Sequence, residues 1–100
     1  MKKQTVLIAG ASRGLGLCFV RKYLEDGCVV LAGVRKTEDV QLKELAGRYP
    51  DTCILLPMDV TDTASVEQAA ELAKEKTEHI DLIINNAGIH AESSFEVYFI

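Results

Sequence analysis

Residues 5–16 of the chain read TVLIAGASRGLG, a short apolar run followed directly by a glycine-rich stretch. Residues 5–9 are apolar almost without interruption, which is typical of a strand covered on both faces of a sheet. A helical pattern follows over residues 15–26, and because its first half is apolar nearly all round we expect it to be buried. Gly27 stands where a C-terminal cap is expected. The stretch therefore predicts a strand, a tight turn and a helix in direct succession.

The remainder of the chain repeats this alternation of strand and helix. Apolar runs predict further strands over residues 28–34, 52–58 and 80–85, and Pro57 favours an edge position for the third strand. We expect the second helix to open with a capping hydroxyl at Thr37, and the third to open at Asp62 or Thr63. Buried strands separated by helices pair in parallel through right-handed crossovers. The predicted fold class is therefore α/β, with a doubly wound parallel sheet.

The glycine turn has the features of a phosphate-binding site. Gly10 allows a sharp turn, Gly14 leaves the backbone open to an incoming group, and Gly16 lets the helix lie close to the sheet. The amides at the helix start then face outwards at its positive end, which suits a pyrophosphate. Three glycines can also serve only to make a tight turn, but their place between a strand and a helix favours dinucleotide binding. Ser12 could cap the helix, donate to a phosphate, or do both.

The end of the second predicted strand bears on the choice of cofactor. NAD-binding domains often place an acid there for the ribose 2′-hydroxyl, whereas this chain has Arg35 and Lys36 and no acid until Glu38. An arginine suits a 2′-phosphate, and Arg13 in the turn can reach the same group. The alternative is that Arg35 and Lys36 are ordinary solvated charges. We expect NADP(H), with NAD(H) less favoured.

Composition narrows the remaining classes of function. The chain has 100 residues, 48% of them apolar and 26% charged, which is typical of one folded domain or part of one. Its net charge of −4 argues against nucleic acid as the main partner, and no apolar stretch approaches a membrane span. The three cysteines are widely spaced, so we expect reduced, packed thiols in a cytoplasmic protein. His79 and His90 are isolated, so no metal site is expected.

Three motifs resemble those of the short-chain dehydrogenases/reductases. Residues 9–16 (AGASRGLG) are similar to the family's TGxxxGxG, with Ala9 for the usual threonine. Residues 58–61 (MDVT) resemble its Asp-Val at the end of the third strand, and residues 85–88 are its NNAG signature. The resemblance covers residue 5 to about residue 89. It implies a partial Rossmann-type sheet of about four strands in the order 3-2-1-4. Residues 1–100 would then form the N-terminal part of a single NAD(P)-binding domain.

The resemblance also implies roles for particular residues. Arg35 would bind the 2′-phosphate, the Asp59 carboxylate would accept from the adenine amino group, and the Val60 backbone would lie against the ring. The alternative for Asp59 is only to cap the following turn, and Asn85 is expected to tie strand ends together. The residues implied to surround the phosphates and adenosine ribose are Gly10, Ser12, Arg13, Gly14, Leu15 and Gly16. Those implied to border the ribose and the path to the nicotinamide are Asn86, Ala87 and Gly88.

The chemistry implied by the resemblance is reversible hydride transfer between NADP(H) and a carbonyl or alcohol. The family places its catalytic Tyr, Lys, Ser and Asn on segments that follow NNAG, so we expect no catalytic residue and no metal ligand in these 100 residues. A small-molecule substrate would be bound only by a longer form. The alternative is a truncated, non-catalytic nucleotide-binding or regulatory chain. In either case the uncovered sheet is expected to favour self-association.

Overall fold

The computed structural model describes residues 4–12 and 14–85, which form four strands and three helices in strict alternation. The longest helix has 14 residues, and none in this part of the chain is long and apolar enough to cross a membrane. Arg13, Asn86, Ala87 and Gly88, named above from the motifs, lie outside the described residues. The elements are β1 (Thr5–Ala9), α1 (Gly14–Glu25), β2 (Val29–Val34), α2 (Val40–Arg48), β3 (Cys53–Pro57), α3 (Thr63–Lys76) and β4 (Leu82–Asn85).

The four strands form one parallel sheet in the order β3-β2-β1-β4. Leu7 of β1 lies opposite Leu31 of β2 and Ile83 of β4, so β1 is central. Strand β3 lies at one side of the described sheet, where Pro57 costs no hydrogen bond towards a further strand. The predicted fold class, strand order and edge position of the third strand are confirmed.

Alternate residues of the central strand point into two separate apolar layers. Val6 and Ile8 pack against α1 and α2 on one face of the sheet, whereas Leu7 and Ala9 pack with α3 on the other. All four side chains are buried, and Val6, Ile8 and Ala9 are fully inaccessible. Because both faces are covered, β1 is apolar at each of these four positions, and this is why residues 6–9 form a continuous apolar run.

Helix α1 buries one face only, so the expectation that its first half is buried all round is wrong. Leu17, Val20 and Leu24 face the sheet, at the spacing of successive helical turns. Leu15 is 66% exposed and Cys18 is also exposed. One layer of sheet can cover only one side of a helix, and Leu15 instead lies beside the cleft described below.

The helix termini follow the sequence closely at α1 and differ from expectation at α2. Gly27 adopts a φ of 87° after α1; its N–H donates to the Leu24 carbonyl and the N–H of Cys28 donates to that of Tyr23. This is the glycine-closed helix end that the sequence predicts. Helix α2, however, is capped by Asp39 and not by Thr37, because the Asp39 carboxylate accepts from the Leu42 N–H at 3.0 Å.

At α3 the cap is Asp62, one of the two residues expected there. Its Oδ1 atom accepts from the Ala64 N–H at 3.0 Å, and the Ser65 N–H lies 3.5 Å away. The carboxylate also lies at the positive end of the helix, which favours its charge. Thr63 is therefore the first residue of the helix and not its cap.

The three cysteines are free thiols, but only two of them are packed. Cys28 and Cys53 are buried, whereas Cys18 is exposed on the outer face of α1, which corrects the expectation that all three pack. Burial raises the pKa of the Cys53 thiol to about 11. The pKa of Cys28 is also raised, first by burial and then by the charges of Asp26 and Asp81. Both buried thiols therefore stay protonated at neutral pH and are poor nucleophiles.

A polar network joins β1 to the start of β4 at the amino-terminal edge of the sheet. The Thr5 N–H donates to Asp81 Oδ2 at 2.7 Å, and the Asp81 N–H donates to the Thr5 carbonyl at 2.8 Å. The same carboxylate oxygen lies 3.2 Å from His79 Nε2, and the Thr5 hydroxyl lies 3.3 Å from that of Thr77. Asp81 thus satisfies the backbone of a buried threonine and aligns β4 with β1.

We predict that Asp81→Ala lowers the free energy of unfolding by about 1–2 kcal/mol, because it removes a charge-assisted bond to a strand amide. Urea unfolding monitored by circular dichroism measures the change. Asp51→Ala, in the exposed turn before β3, is the matched control and should stay within about 0.5 kcal/mol of the parent. Equal effects of the two substitutions would contradict the role given to Asp81.

Candidate functional site

An open cleft of about 1110 Å³ lies at the carboxyl-terminal edge of the sheet, beside the ends of β1, β2 and β3. This is where ligands bind in open α/β sheets, since connections to opposite faces diverge there. The cleft brings together residues that are far apart in the sequence. Seven of the predicted site residues line it: Gly10, Ser12, Gly14, Leu15, Arg35, Asp59 and Val60.

The glycine turn is tied to the end of the neighbouring strand. Gly10 has a φ of 74°, and its N–H and that of Ala11 both donate to the Gly33 carbonyl, at 3.0 and 3.1 Å. A positive φ is accessible to glycine at little cost, which explains the residue type at the sharpest point of the turn. The two amides hold the turn against β2, so the donors available to a ligand begin further along, at the start of α1.

Helix α1 opens onto the cleft with little side-chain obstruction. A Cβ atom placed on Gly14 would meet no atom within 4 Å, so the backbone there is accessible from the cleft. Gly16 is buried in the first turn of the helix, in agreement with close packing. The first amides of a helix have no acceptors within it, and together with the positive end of the helix dipole they suit an anion. Ser12, half-buried beside them, also lines the cleft.

Gly33 shapes the floor of the cleft, a role that sequence reasoning did not assign. A Cβ atom on Gly33 would lie 2.5 Å from Met58 Cε and 3.2 Å from the Ile8 carbonyl oxygen. The missing side chain therefore leaves room for Met58 to cross the end of β2, and both residues line the cleft. The contact depends on the pairing of β2 with β3, so no local pattern could have revealed it.

Two cations follow β2 on the wall of the cleft. Arg35 and Lys36 are both exposed and both line it, which leaves their charges available to a ligand. The next two acids, Glu38 and Asp39, lie on the same wall. They differ in their surroundings, since Asp39 caps α2 through the Leu42 N–H and Glu38 is exposed.

Asp59 faces the cleft from the end of β3, next to Arg35. The Met58 N–H donates to the Val34 carbonyl at 2.8 Å, so the carboxyl ends of β2 and β3 lie side by side at this point. Oδ1 of Asp59 accepts from the Thr61 hydroxyl at 2.7 Å and from the Thr61 N–H at 3.0 Å. The carboxylate therefore does hold the following turn, the structural role considered above, while also lining the cleft.

The surroundings of Asp59 favour its ionised form. The two hydrogen bonds from Thr61, hydroxyl first and amide second, lower the pKa of the carboxyl. Desolvation opposes them, and the charge of Arg35, the smallest of the four effects, lowers the pKa slightly further. An ionised carboxylate accepts hydrogen bonds only, so this part of the cleft presents an acceptor to a ligand at neutral pH. Sequence reasoning did not single out Thr61, although an aspartate two residues before a threonine is a recognisable turn signal.

Comparison with protein families gives a match over nearly the whole chain. The family model described as short chain dehydrogenase matches residues 4–98. Among characterised relatives, the chain is 36% identical over 101 aligned positions to a 3α-hydroxysteroid dehydrogenase of Mediterraneibacter gnavus. That alignment covers 98% of this chain and 40% of the relative. The chain thus spans less than half the length of that protein.

Solved structures give the same result. A carbonyl reductase from Pseudomonas aeruginosa in complex with NADP superimposes with a TM-score of 0.79 and 32% identity, over 99% of this chain and 43% of that one. A 3-ketoacyl-(acyl-carrier-protein) reductase from Brucella melitensis complexed with NADH gives a TM-score of 0.74 and 29% identity, over 86% of this chain and 35% of that one. Proteins with either dinucleotide thus share this sheet and its order of elements.

We predict that Thr61→Val raises the pKa of Asp59 towards the usual aspartate value, because the Thr61 hydroxyl is the largest cause of its depression. Since the folded pKa is depressed, the stabilising effect of the ionised group is complete above the usual pKa and is lost as pH falls through the folded value. In the variant the loss should begin at the same pH, be smaller, and be complete at a higher pH, because the folded and usual pKa values lie closer together. Carboxyl-detected NMR titration measures the shift.

Thr63→Val is the matched control for this titration. Thr63 is an exposed threonine two residues further on, at the first position of α3, and it is not a donor to Asp59. Its replacement should leave the Asp59 titration where it is in the parent protein. A shift of the same size in both variants would assign the effect to the loop as a whole and not to the Thr61 hydroxyl.

Proposed function

The chain belongs to the short-chain dehydrogenase family, and on that premise we propose that it forms the NADP(H)-binding portion of an oxidoreductase. The whole protein would exchange hydride between NADP(H) and a carbonyl or alcohol substrate. In this proposal residues 1–100 are the N-terminal part of a single Rossmann-type domain, and the residues in the cleft bind and orient the cofactor.

The observation that carries the choice of NADP(H) is the pair of cations on the cleft wall after β2. Arg35 and Lys36 occupy the place where NAD-binding domains often carry an acid for the ribose 2′-hydroxyl. The planar guanidinium of Arg35 can make paired, charge-assisted hydrogen bonds with a 2′-phosphate. Lys36 adds a second positive charge at the same wall. The NADP complex of the carbonyl reductase is consistent with this choice, although the relative with NADH has the same fold.

The two acids on the same wall of the cleft, Asp39 and Glu38, are compatible with this proposal because of their positions. Asp39 accepts the Leu42 N–H at the start of α2, so its carboxylate serves the helix first. Glu38 lies three residues beyond Arg35 in the connection to α2. Neither acid directly follows β2, the position from which NAD-binding domains often bind the ribose 2′-hydroxyl.

The start of α1 would hold the phosphates. The open backbone at Gly14 and the amides of the first turn would face the pyrophosphate, with the positive end of the helix dipole behind them. Ser12 would donate from the turn, Leu15 would cover the bound nucleotide with its exposed side chain, and Gly16 would keep the helix close to the sheet. Gly10 would set the turn that aims these groups.

The end of β3 would hold the adenine. The ionised Asp59 carboxylate would accept from the adenine amino group, and Val60, half-buried beside it, would lie against the ring. The further assignments made from the family motifs are the arginine of the turn for the 2′-phosphate, and the NNAG residues for the ribose and the path to the nicotinamide. Both remain part of the proposal from sequence alone, at Arg13, Asn86, Ala87 and Gly88.

Bound NADP(H) would supply the hydride chemistry of the reaction. What this part of the protein contributes is position: it anchors the adenosine half of the dinucleotide at β2 and β3 and the pyrophosphate at α1. A dinucleotide held at two such points would have a defined direction along the sheet edge. The proposal therefore assigns the residues of the cleft to binding and orientation.

Calorimetric titration with NADP⁺ and, separately, NAD⁺ tests the proposal. We expect NADP⁺ to bind more tightly, and we expect Arg35→Ala to weaken NADP⁺ binding by about tenfold or more while changing NAD⁺ binding little, because only NADP⁺ carries the 2′-phosphate. Arg48→Ala is the control: Arg48 is an exposed arginine at the end of α2, paired with Glu44 and away from the cleft. Tighter binding of NAD⁺, or equal weakening of both nucleotides by Arg35→Ala, would contradict it.

A further inference from the structure

In the loop after β3, hydrogen bonds hold both the backbone and the carboxylate of Asp59. The Asp59 N–H donates to Ser65 Oγ at 2.8 Å, which ties the second residue of the loop to the first turn of α3. Thr61 donates its hydroxyl and its N–H to Asp59 Oδ1. The backbone and the side chain of Asp59 are therefore oriented by two different residues, neither of which lies on β3.

Ser65 is itself a rigid point of attachment. It lies in the first turn of a helix capped by Asp62, and the next residue, Val66, is buried in the layer that contains Met58. Residue 59 is thus anchored on one side by the bond from the Met58 N–H to the Val34 carbonyl and on the other by a helix packed on the same core. An anchored backbone leaves the Asp59 side chain few orientations.

The two bonds from Thr61 distinguish the two carboxylate oxygens of Asp59. An ionised carboxylate oxygen offers about two lone-pair positions, and both positions on Oδ1 are engaged by Thr61. Oδ2 is therefore the oxygen that a ligand in the cleft can use. Within the described part of the chain, the charge of Arg35 also favours the ionised carboxylate. Its effect is smaller than that of the two hydrogen bonds from Thr61.

Resting on the function proposed above, we propose that Thr61 and Ser65 are positioning residues that present Oδ2 of Asp59 as a fixed acceptor in the cleft. A fixed acceptor makes the site selective for a purine with an amino group at position 6, which donates, over one with a carbonyl oxygen, which accepts and is repelled. The selectivity belongs to the orientation of the carboxylate and not only to its presence.

A purely structural role for Thr61 and Ser65 makes a different prediction. If these residues only held the loop together, their removal would weaken the binding of every nucleotide by the same factor. If they aim Oδ2, their removal would reduce the difference between a 6-amino and a 6-oxo purine. The ratio of the two affinities therefore separates the roles, whereas a single affinity does not.

The probes are NADP⁺ and its hypoxanthine analogue, which differ at position 6 of the purine and in the proton that the analogue carries at N1, and which share the 2′-phosphate. Both are titrated into the full chain by calorimetry, with thermal unfolding recorded for each variant. The variants are Thr61→Val, Ser65→Ala and, as the conservative replacement that keeps a hydroxyl, Ser65→Thr. Thr63→Val, at the first position of α3, serves again as the threonine control.

We expect the parent chain to favour NADP⁺ over the analogue by about tenfold, since one charge-assisted hydrogen bond at a partly exposed site distinguishes them. Thr61→Val and Ser65→Ala should reduce this preference by about threefold or more, whereas Ser65→Thr and Thr63→Val should leave it near the parent value.

Asp59→Asn gives a second readout that does not depend on losing a contact. Thr61 would hold the amide oxygen at the position of Oδ1, so the amide NH₂ would take the position of Oδ2 and donate into the cleft. The preference should then invert in favour of the 6-oxo purine. In the double variant with Thr61→Val the amide is free to turn over, and the inversion should be weakened.

The failures of the inference and of the proposed function are distinguishable. A parent preference that Asp59→Asn alters but Thr61→Val and Ser65→Ala do not would overturn the inference and leave cofactor binding intact. A parent chain that binds both purines equally would overturn it as well. Absence of NADP⁺ binding, or no effect of Arg35→Ala on the preference for NADP⁺ over NAD⁺, would instead refute the function on which the inference rests.

Discussion

The arrangement of the cleft depends on the hydrogen bonds that the Gly33 carbonyl accepts. This carbonyl accepts from both amides at the start of the glycine turn, and so joins the end of β1 to the end of β2 after their parallel pairing has finished. The turn held there leads into α1, whose first residues Gly14 and Leu15 line the cleft. The missing side chain of Gly33 also leaves room for Met58, the residue that follows β3. One residue thereby relates all three strand ends that bear the site.

Beyond this contact, the cleft divides by charge. Its α1 side offers backbone amides and the positive end of a helix, its β2 side offers Arg35 and Lys36, and its β3 side offers the ionised Asp59. A molecule that carries phosphates at one end and a hydrogen-bond donor at the other matches this order of charges. In this arrangement the Asp59 carboxylate is the acidic group that lies in the cleft just after the end of a strand.

Much of the fold is local enough to be predicted from the sequence. Continuous apolar runs require burial on both faces, so the alternation of strands and helices implies a parallel doubly wound sheet. Gly27 and Asp62 end and begin helices through contacts within a few residues, and both were predictable. The errors arose where a choice depended on distant parts of the chain. Leu15 and Cys18 are apolar, yet α1 meets only one layer of sheet and leaves them exposed.

The sequence by itself therefore determined the class of fold, the order of its elements and the residues Gly10, Arg35 and Asp59 as candidates for a dinucleotide site, because these features follow from local patterns of residue type and from family motifs. Only the tertiary structure decided how those residues are used. The bonds from the turn to Gly33 and the contact of Met58 with Gly33 join segments brought together by strand pairing. Such contacts have no signature along the chain, since they depend on which strand ends become neighbours once the sheet has formed.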